Sequence, residues 1–573
     1  MTETAQPTTG HIGGGGLDLD TLDLMLEALT DFVAAGMDDD RMLQLDHDDV
    51  CPEDLVRAMQ SEELGVQLVF LPEKYGGMGG GAFDIYRVCE RMGRIDIGLA
   101  TSVLATFLGA DPILVGATEE QRAHWLGRIA EEGILFAYGA TEPEAGSDLG
   151  SLTTTAVPKR DDDGNITHYV INGRKQWISN GGIADATTIL ALTDGGPTWF
   201  VVDNEGTPGF EAAPHEDKHG IRLSNTCALF LDDVEVPIEN LIGGVEGQGL
   251  IQAQQVFGYT RLMVAAFGLG GGWEALDRAI TYSVNRIQGG APLSQKQGLT
   301  HKLIIPHLVR LEAARSYIEE TATRIDNGEG ENGALNTEGA IAKYLATEYG
   351  NSAAEASIQV HGGYGYTRPY IVEKIKRDVR ITCIYEGTSE IMEMTIGRDR
   401  WQHHLKTKGD HYHVQAAELR HLHAAHPTIG ADVAALATDA LAGVFAAAQT
   451  GRLTRNQHIL FRLGELAAIV EAAGSLCRRA AAKADETISA KADKRFSAET
   501  LATICRVYAR EAALKVADDG VRWVAGGTAV AGVDGAELAR TLAATLNVDE
   551  IRAAQAGLIA DMDAIAAAIY DNA

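Results

Sequence analysis

Apolar residues recur at three- and four-residue spacing from Leu17, stop doing so after Gly133, and resume that spacing from about Gln248. A period near 3.6 residues buries one face of a helix, so the outer stretches are expected to be helical. LDTLDLMLEALTDFV, EDLVRAMQSEELG, DIYRVCERMG and EEQRAHWLGRIAEEG carry the pattern before the break. Inside it stand short β-type runs, HYVING, KQWISN, ATTILAL, TWFVVD and CALFLDDVEV, separated by the turn formers DDDGN, TDGG and EGTPG. The expected fold is therefore α+β and multidomain. Residues 1–16, rich in Gly, Thr and Pro with nothing to bury, read as a flexible leader. An N-terminal helical domain over 17–133, a small β-sheet or barrel domain over 134–243 and a helical bundle over 244–400 follow. Alanine-rich segments with helical spacing after the polar connector HHLKTKGDHYH make 401–573 a helical C-terminal extension. At 573 residues the chain is long enough for several cores.

Charge narrows the possible partners. Acidic residues number 80 against 48 basic, a net charge of −32, which argues against a nucleic-acid surface built on clustered Lys and Arg. Cys51, Cys89, Cys227, Cys383, Cys477 and Cys505 form no CxxC pair, so neither a zinc site nor a disulfide framework is expected and a reducing cytoplasm is the simplest setting. His403, His404, His411 and His413 follow no metal-ligand spacing, and no metal is expected. The N-terminus has no basic region followed by an apolar run, and no uncharged apolar stretch approaches the roughly 18 residues of a membrane helix. Neither export nor membrane spanning is expected.

RDVRITCIYEGTSEIM, Arg377 to Met392, carries the candidate chemistry. It sets Glu386 between Tyr385 and Gly387 after an apolar run, with Gly387 and Thr388 offering a bend before Glu390 opens another helical pattern. A carboxylate delivered by a turn into an apolar pocket is pushed towards a pKa useful for proton abstraction. The plainer alternative is a solvated glutamate at a helix start.

This stretch resembles the catalytic signature of the acyl-CoA dehydrogenase family, flavoenzymes that desaturate acyl-CoA thioesters, and further signatures follow in family order over roughly residues 20 to 400. LPEKYGGMGGG resembles the family's LPExYGG loop. FAYGATEPEAGSD resembles its YxxTEPxxGSD flavin-binding stretch, and the resemblance implies that Tyr138, Ala140, Thr141, Gly146 and Ser147 line FAD, Ser147 also reaching substrate. KQWISNGG implies Trp177, Ile178 and Ser179 as further FAD contacts. FGYTRLMVAAFGLGG implies that Arg261 lies near the acyl-CoA. Thr260 occupies the position of an alternative catalytic Glu in some relatives, and Gly258 replaces an Asp common in straight-chain enzymes. NRIQGGAPLSQKQ implies that Arg286, Gln288 and Gln297 reach the flavin of a neighbouring subunit, with Gly289 in place of the usual Phe. IQVHGGYGYTRPY implies the same for Gln359, Gly362 and Gly363, His361 being a packing residue. Thr388 and Glu390 fall on the cofactor side and Gly387 on the substrate side.

The resemblance implies that Glu386 removes the α-proton while the β-hydride passes to flavin N5, the enolate oxygen being met by the Glu386 N–H and a flavin ribityl hydroxyl. It also implies the trans-2-enoyl-CoA as product, an electron-transfer flavoprotein as electron acceptor, a homo-oligomer (a dimer or a tetramer) and a place in fatty acid β-oxidation. IDIGLATSVLATF lacks the Arg that dicarboxylic relatives tend to place there, so a plain acyl tail is expected. An acyl-CoA oxidase, or a non-catalytic member that binds acyl-CoA or flavin, remains an alternative.

Overall fold

The computed structural model describes residues 16–330, 333–528 and 534–570, without the side chains of 256–259. The expected leader lies outside the described residues apart from Gly16. The chain forms two compact units: one runs through Met263 and adds Ala322–Asn336, and the other joins Val264–Thr321 to the chain from Thr337 onward.

The first unit opens with seven helices: α1 (Leu19–Gly36), α2 (Asp39–Asp48), α3 (Glu53–Met59), α4 (Val66–Phe70), α5 (Ala82–Ile95), α6 (Ile97–Gly116) and α7 (Glu119–Glu132). Local chemistry sets their ends. The Asp18 carboxylate caps α1 by accepting from Thr21 N, and Thr118 and Gln121 form a capping box at α7. EDLVRAMQSEELG, expected as one helix, breaks after Met59 and restarts as α4 from Gly65, whose φ of 72° suits glycine. Helix α6 is apolar on nearly every side, because nearly every face of it is covered.

A seven-stranded sheet follows, formed by β1 (Phe136–Gly139), β2 (Thr155–Arg160), β3 (Ile166–Ser179), β4 (Ala186–Thr193), β5 (Gly196–Asp203), β6 (Phe210–Ala212) and β7 (Thr226–Pro237). Its order is β1-β4-β2-β3-β7-β6, with β5 on β4. HYVING and KQWISN prove to be one strand, β3, whose register with β7 shifts between Ile171 and Gly173 and again between Lys175 and Ile178. Tyr169, Ile171, Ile178, Ile189, Phe200, Leu229 and Val234 fill its core.

The helical pattern then resumes as α8 (Gly249–Asn285), interrupted by a hairpin of β8 (Ile287–Gln288) and β9 (Ala291–Pro292). Next come α9 (Gln297–Leu303), α10 (Ile305–Asp326), α11 (Asn336–His361), α12 (Ile371–Arg380) and α13 (Ser389–Lys406). The extension supplies α14 (Asp410–Ala425), α15 (Ala431–Thr450), α16 (Gln457–Ala484), α17 (Ala498–Gly527), α18 (Gly535–Thr545), α19 (Val548–Ala553) and α20 (Leu558–Tyr570). Helix α13 runs unbroken through residue 400, where the sequence suggests a domain boundary.

The extension is bound to α13 by backbone contact as well as by charge. A Cβ at Gly397 would lie 2.4 Å from the Leu460 carbonyl oxygen, and one at Gly464 would lie 2.2 Å from that of Glu393. Two helices therefore cross with no side chain between them. Beside the crossing, Glu471 of α16 accepts from Arg400 Nε at 2.7 Å and Nη2 at 2.8 Å, Tyr317 Oη at 2.9 Å and Tyr412 Oη at 3.0 Å. Burial opposes the Glu471 charge, yet Arg400 holds its carboxyl below the usual range. Arg479 of α16 likewise donates to Glu312 and Glu319 of α10. All six cysteines are free, although Cys477 Sγ and Cys505 Sγ stand 3.2 Å apart between α16 and α17.

Among the described residues, two helices, Ile97–Gly116 and Ala431–Thr450, are long and apolar enough to cross a bilayer by length and composition, but 89% and 61% of their most apolar windows are buried in protein.

Gly464→Ala is expected to cost about 2 kcal/mol, because the new methyl group must push two backbones apart. Gly474→Ala on the same helix would meet the flexible Arg478 guanidinium first, at 3.3 Å, and should be neutral or gain up to about 1 kcal/mol from helix propensity. Denaturant midpoints of the two variants check this; equal midpoints would contradict the close crossing.

Candidate functional site

In the first unit, β1 ends at Gly139, where a Cβ would lie 2.5 Å from Ile189 Cδ1, so this glycine serves the packing of β1 on β4. The loop that follows turns on itself, Glu142 and Ala145 exchanging backbone hydrogen bonds of 2.9 and 3.2 Å. Its root is a buried ion pair. Glu142 accepts from Lys175 Nζ at 2.8 Å, Thr153 N at 2.7 Å, Thr153 Oγ1 at 2.6 Å and Thr154 N at 3.0 Å. Lys175 Nζ also donates to the carbonyls of Leu190 at 2.6 Å and Ala140 at 3.3 Å. Burial works against the Glu142 charge, but the bonds from Lys175, Thr153 and Thr154 outweigh it and hold the carboxyl down to about 2.

That pair pins Ala140 while Gly146 and Ser147 stay exposed and Thr141 half-buried. Nothing lies within 4 Å of a Cβ at Gly146, which leaves room for a ligand's approach. Tyr138 packs its ring on Trp199, centroids 4.9 Å apart. Gln176 N donates to Thr141 O at 2.9 Å, which brings the TEP loop and the KQWIS strand together. On the β3 bulge, Trp177 adopts φ 62° and leaves its side chain 61% exposed. A left-handed tryptophan is an outlier, and bulges re-aim side chains. Ile178 turns its side chain into the β core, which leaves its main-chain atoms to face the loop. Ser179 ends β3 opposite Thr226. Arg261 on α8 is buried and donates to Asn336 O at 3.1 Å. An exposed indole beside a loop of small residues suits a planar aromatic group such as the FAD isoalloxazine.

In the second unit, α12 ends at Arg380 and the apolar run that follows opens as a 3₁₀ turn, Ile381–Cys383. Glu386 then adopts φ 54° and Gly387 φ 95°. A Cβ at Gly387 would lie 2.5 Å from Met392 Cε. Thr388 caps α13, its hydroxyl accepting from Ile391 N at 3.3 Å. Glu386 thus stands half-buried, two residues ahead of the cap. The helix-start glutamate is instead Glu390, exposed in the first turn and held below its usual pKa by its own backbone N–H and the Thr388 hydroxyl. Helix α11 grips this turn twice. Lys343 Nζ donates to Gly387 O at 2.6 Å, and Ser389 Oγ donates to Glu348 Oε1.

The same unit brings two further motifs together. Gly289 and Gly290, at φ 58° and 83°, make the two-residue turn of the β8–β9 hairpin, where the Phe expected from the family would be strained. Arg286 holds its guanidinium carbon 5.9 Å from the Tyr364 ring centre, joining this hairpin to the HGGYGY segment. Gln288, Gln359, Gly362 and Gly363 are exposed, with open space around both glycines. His361 is buried against Tyr282, with centroids 4.3 Å apart, as a packing residue. The Gln297 amide donates to Asp563 Oδ1 of α20 at 2.7 Å, so the extension already engages it. Among the described residues no group of three or more His, Cys, Asp or Glu is arranged to hold a metal. His403 stacks on His411 at 4.1 Å, while His413 meets Asp439 at 2.9 Å.

Sequence reasoning passed over Glu142, Lys175 and Lys343. All three are charged residues that pattern reading assigns to solvent, and the only trace of the first pair was their presence inside quoted motifs.

Family models for the N-terminal, middle and C-terminal domains of acyl-CoA dehydrogenase match residues 20–133, 137–234 and 247–400. The short-chain specific acyl-CoA dehydrogenase of Megasphaera elsdenii is 37% identical over 361 residues, 61% of this chain and 91% of that protein. A chain from the structure of the electron transferring flavoprotein of Acidaminococcus fermentans is 33% identical with a TM-score of 0.62, over 67% of this chain and 98% of that one. The acyl-CoA dehydrogenase of Bacillus anthracis, solved with FAD, is 24% identical and matches in fold with a TM-score of 0.81, over 96% of this chain and 95% of its own. With three domain models matched in order and the helix–sheet–helix architecture in place, the chain belongs to the acyl-CoA dehydrogenase family and is an FAD-dependent oxidoreductase.

Proposed function

We propose that this enzyme converts an acyl-CoA with a plain hydrocarbon tail to its trans-2-enoyl-CoA, with Glu386 as the base that removes the α-proton. The observation that carries the reading is the turn at Glu386, which presents a half-buried carboxylate on left-handed backbone ahead of a capped helix. Such an α-hydrogen is barely acidic in water, so its removal needs a positioned base in a water-poor site. The Glu386 main-chain N–H is suited to meet the thioester oxygen as negative charge develops there. Bound FAD supplies the acceptor for the β-hydride. Tyr138, Thr141, Ser147, Trp177 and Ser179 would hold it in the first unit, Ser147 and Arg261 being also the substrate contacts there. Arg286, Gln288, Gln359, Gly362 and Gly363, which the family resemblance assigns to a neighbour's flavin, support a homodimer. Reduced enzyme would pass its electrons to an electron-transfer flavoprotein, within fatty acid β-oxidation in the cytoplasm.

Glu386→Gln is expected to purify yellow and to lose turnover by about a thousandfold or more. Bleaching of its flavin by a panel from butyryl-CoA to palmitoyl-CoA tests this; near-normal rates would refute the assignment.

Glu142→Gln should weaken FAD retention at neutral pH and lower stability by about 3 kcal/mol, because it leaves the Lys175 ammonium buried without its carboxylate. The folded carboxyl sits near 2 against an ordinary 4.5, so its contribution is complete above about pH 4.5 and is lost as pH falls towards 2. The gap between native and variant denaturant midpoints should therefore narrow steadily below about pH 4.5, and a gap unchanged by acid would contradict the ion pair.

A further inference from the structure

Lys343 is a fully buried lysine, 0% exposed, in the N-terminal third of α11. Burying an ammonium costs several kcal/mol unless polar groups surround it. A buried position in a helix is ordinarily apolar, so a lysine kept there serves something. Its Nζ lies 2.6 Å from the carbonyl oxygen of Gly387, the residue that follows the base. That carbonyl belongs to a peptide whose orientation depends on two left-handed residues, Glu386 at φ 54° and Gly387 at φ 95°. A non-glycine residue in that region costs about 1–2 kcal/mol and relaxes unless its surroundings hold it.

The other sides of the turn are also held. Met392, fully buried, would stand 2.5 Å from a Cβ at Gly387. The Ser389 hydroxyl donates to Glu348, the residue after Thr347 on α11. Thr347 itself spends its hydroxyl on the Lys343 carbonyl at 2.8 Å, within the helix. Lys343 and Glu348 thus both face the base segment from α11, and Lys343 is bonded to main-chain oxygen there. A charge-assisted bond of this length is about twice as strong as a neutral one.

Resting on the reading of Glu386 as the base, we propose that Lys343 is its positioning residue: the ammonium locks the Gly387 peptide and thereby aims the Glu386 carboxylate at the substrate α-carbon. Lys343 acts here through the Gly387 peptide. Its contribution is to restrict the base to one orientation, and a misplacement of about 1 Å in such a group costs about a hundredfold in rate.

The test uses the full-length holoenzyme and single-turnover bleaching of the flavin by the acyl-CoA that reduces the native enzyme fastest. The substrate is used with hydrogen and with deuterium at the α-carbon. Lys343→Met is expected to keep FAD and the native KM within about threefold while bleaching about a hundredfold more slowly, with a larger α-deuterium effect because proton removal has become the slow step. Lys343→Gln, which keeps an N–H donor without the charge, should fall between the two and serves if the methionine variant does not fold. A loss of folded or flavin-bearing protein, with native bleaching rate and isotope effect in the holoenzyme that remains, would show a structural role only and overturn the inference. If Glu386→Gln is inactive but Lys343→Met matches the native enzyme, the base reading stands and this inference fails. If Glu386→Gln bleaches normally, both fail.

Discussion

A half-buried glutamate has to sit between two helical segments without joining either, and the chain meets that constraint with left-handed backbone at Glu386 and Gly387. The conformation of this turn is imposed from outside, by the Thr388 cap, the Ser389–Glu348 bond and the Lys343 ammonium. The KQWISN segment of the β domain uses the same device. Trp177 at φ 62° and Asn180 at φ 60° are also left-handed without being glycine, and Asn180 is held by its amide donating to Ser102 O at 2.7 Å. Local strain of this kind survives where surrounding structure over-determines it.

What over-determines α13 includes the extension. Arg462 of α16 donates to Glu393 Oε1 at 2.6 Å, the oxygen that also accepts from Tyr344 Oη of α11 at 3.1 Å. Glu393 stands one turn beyond Ser389, and Arg400 stands two turns further on, bound to Glu471. Buried pairs of this type add little net stability against apolar substitutes, but removing one partner is expensive, so they specify register. The two glycines at the crossing of α13 and α16 fix distance, and the ion pairs fix sliding.

Much of this architecture is legible in the sequence, for identifiable reasons. The change from helical to β-type periodicity at Gly133 and back near Gln248 follows from which faces are buried, and it locates the sheet correctly. Asp18, Thr118 and Thr388 cap helix starts through their side-chain oxygens. Periodicity fails where burial is complete. Helix α6 shows no polar face, and β3 reads as two strands because Gly173 and the bulge at Trp177 interrupt its alternation. At the candidate site, Glu386, Thr141 and Trp177 are recognisable because their motifs are long. The residues that hold them, Glu142, Lys175 and Lys343, are charged side chains whose burial depends on contacts distant in sequence, and no local pattern reports that. Gly289 looked like a departure from the family and is instead what a two-residue hairpin turn requires.

The glycine crossing also bears on how the molecule breathes. With no side chains between them, α13 and α16 cannot separate by rotamer changes; they part only by breaking the contact along its whole length, together with the Glu471 and Glu393 bonds. Local opening on the seconds-to-hours scale of amide hydrogen exchange should therefore treat the two helices as a single cooperative unit. The helix that follows the Glu386 turn thereby shares the protection of a core segment rather than the fraying of a late addition to the chain.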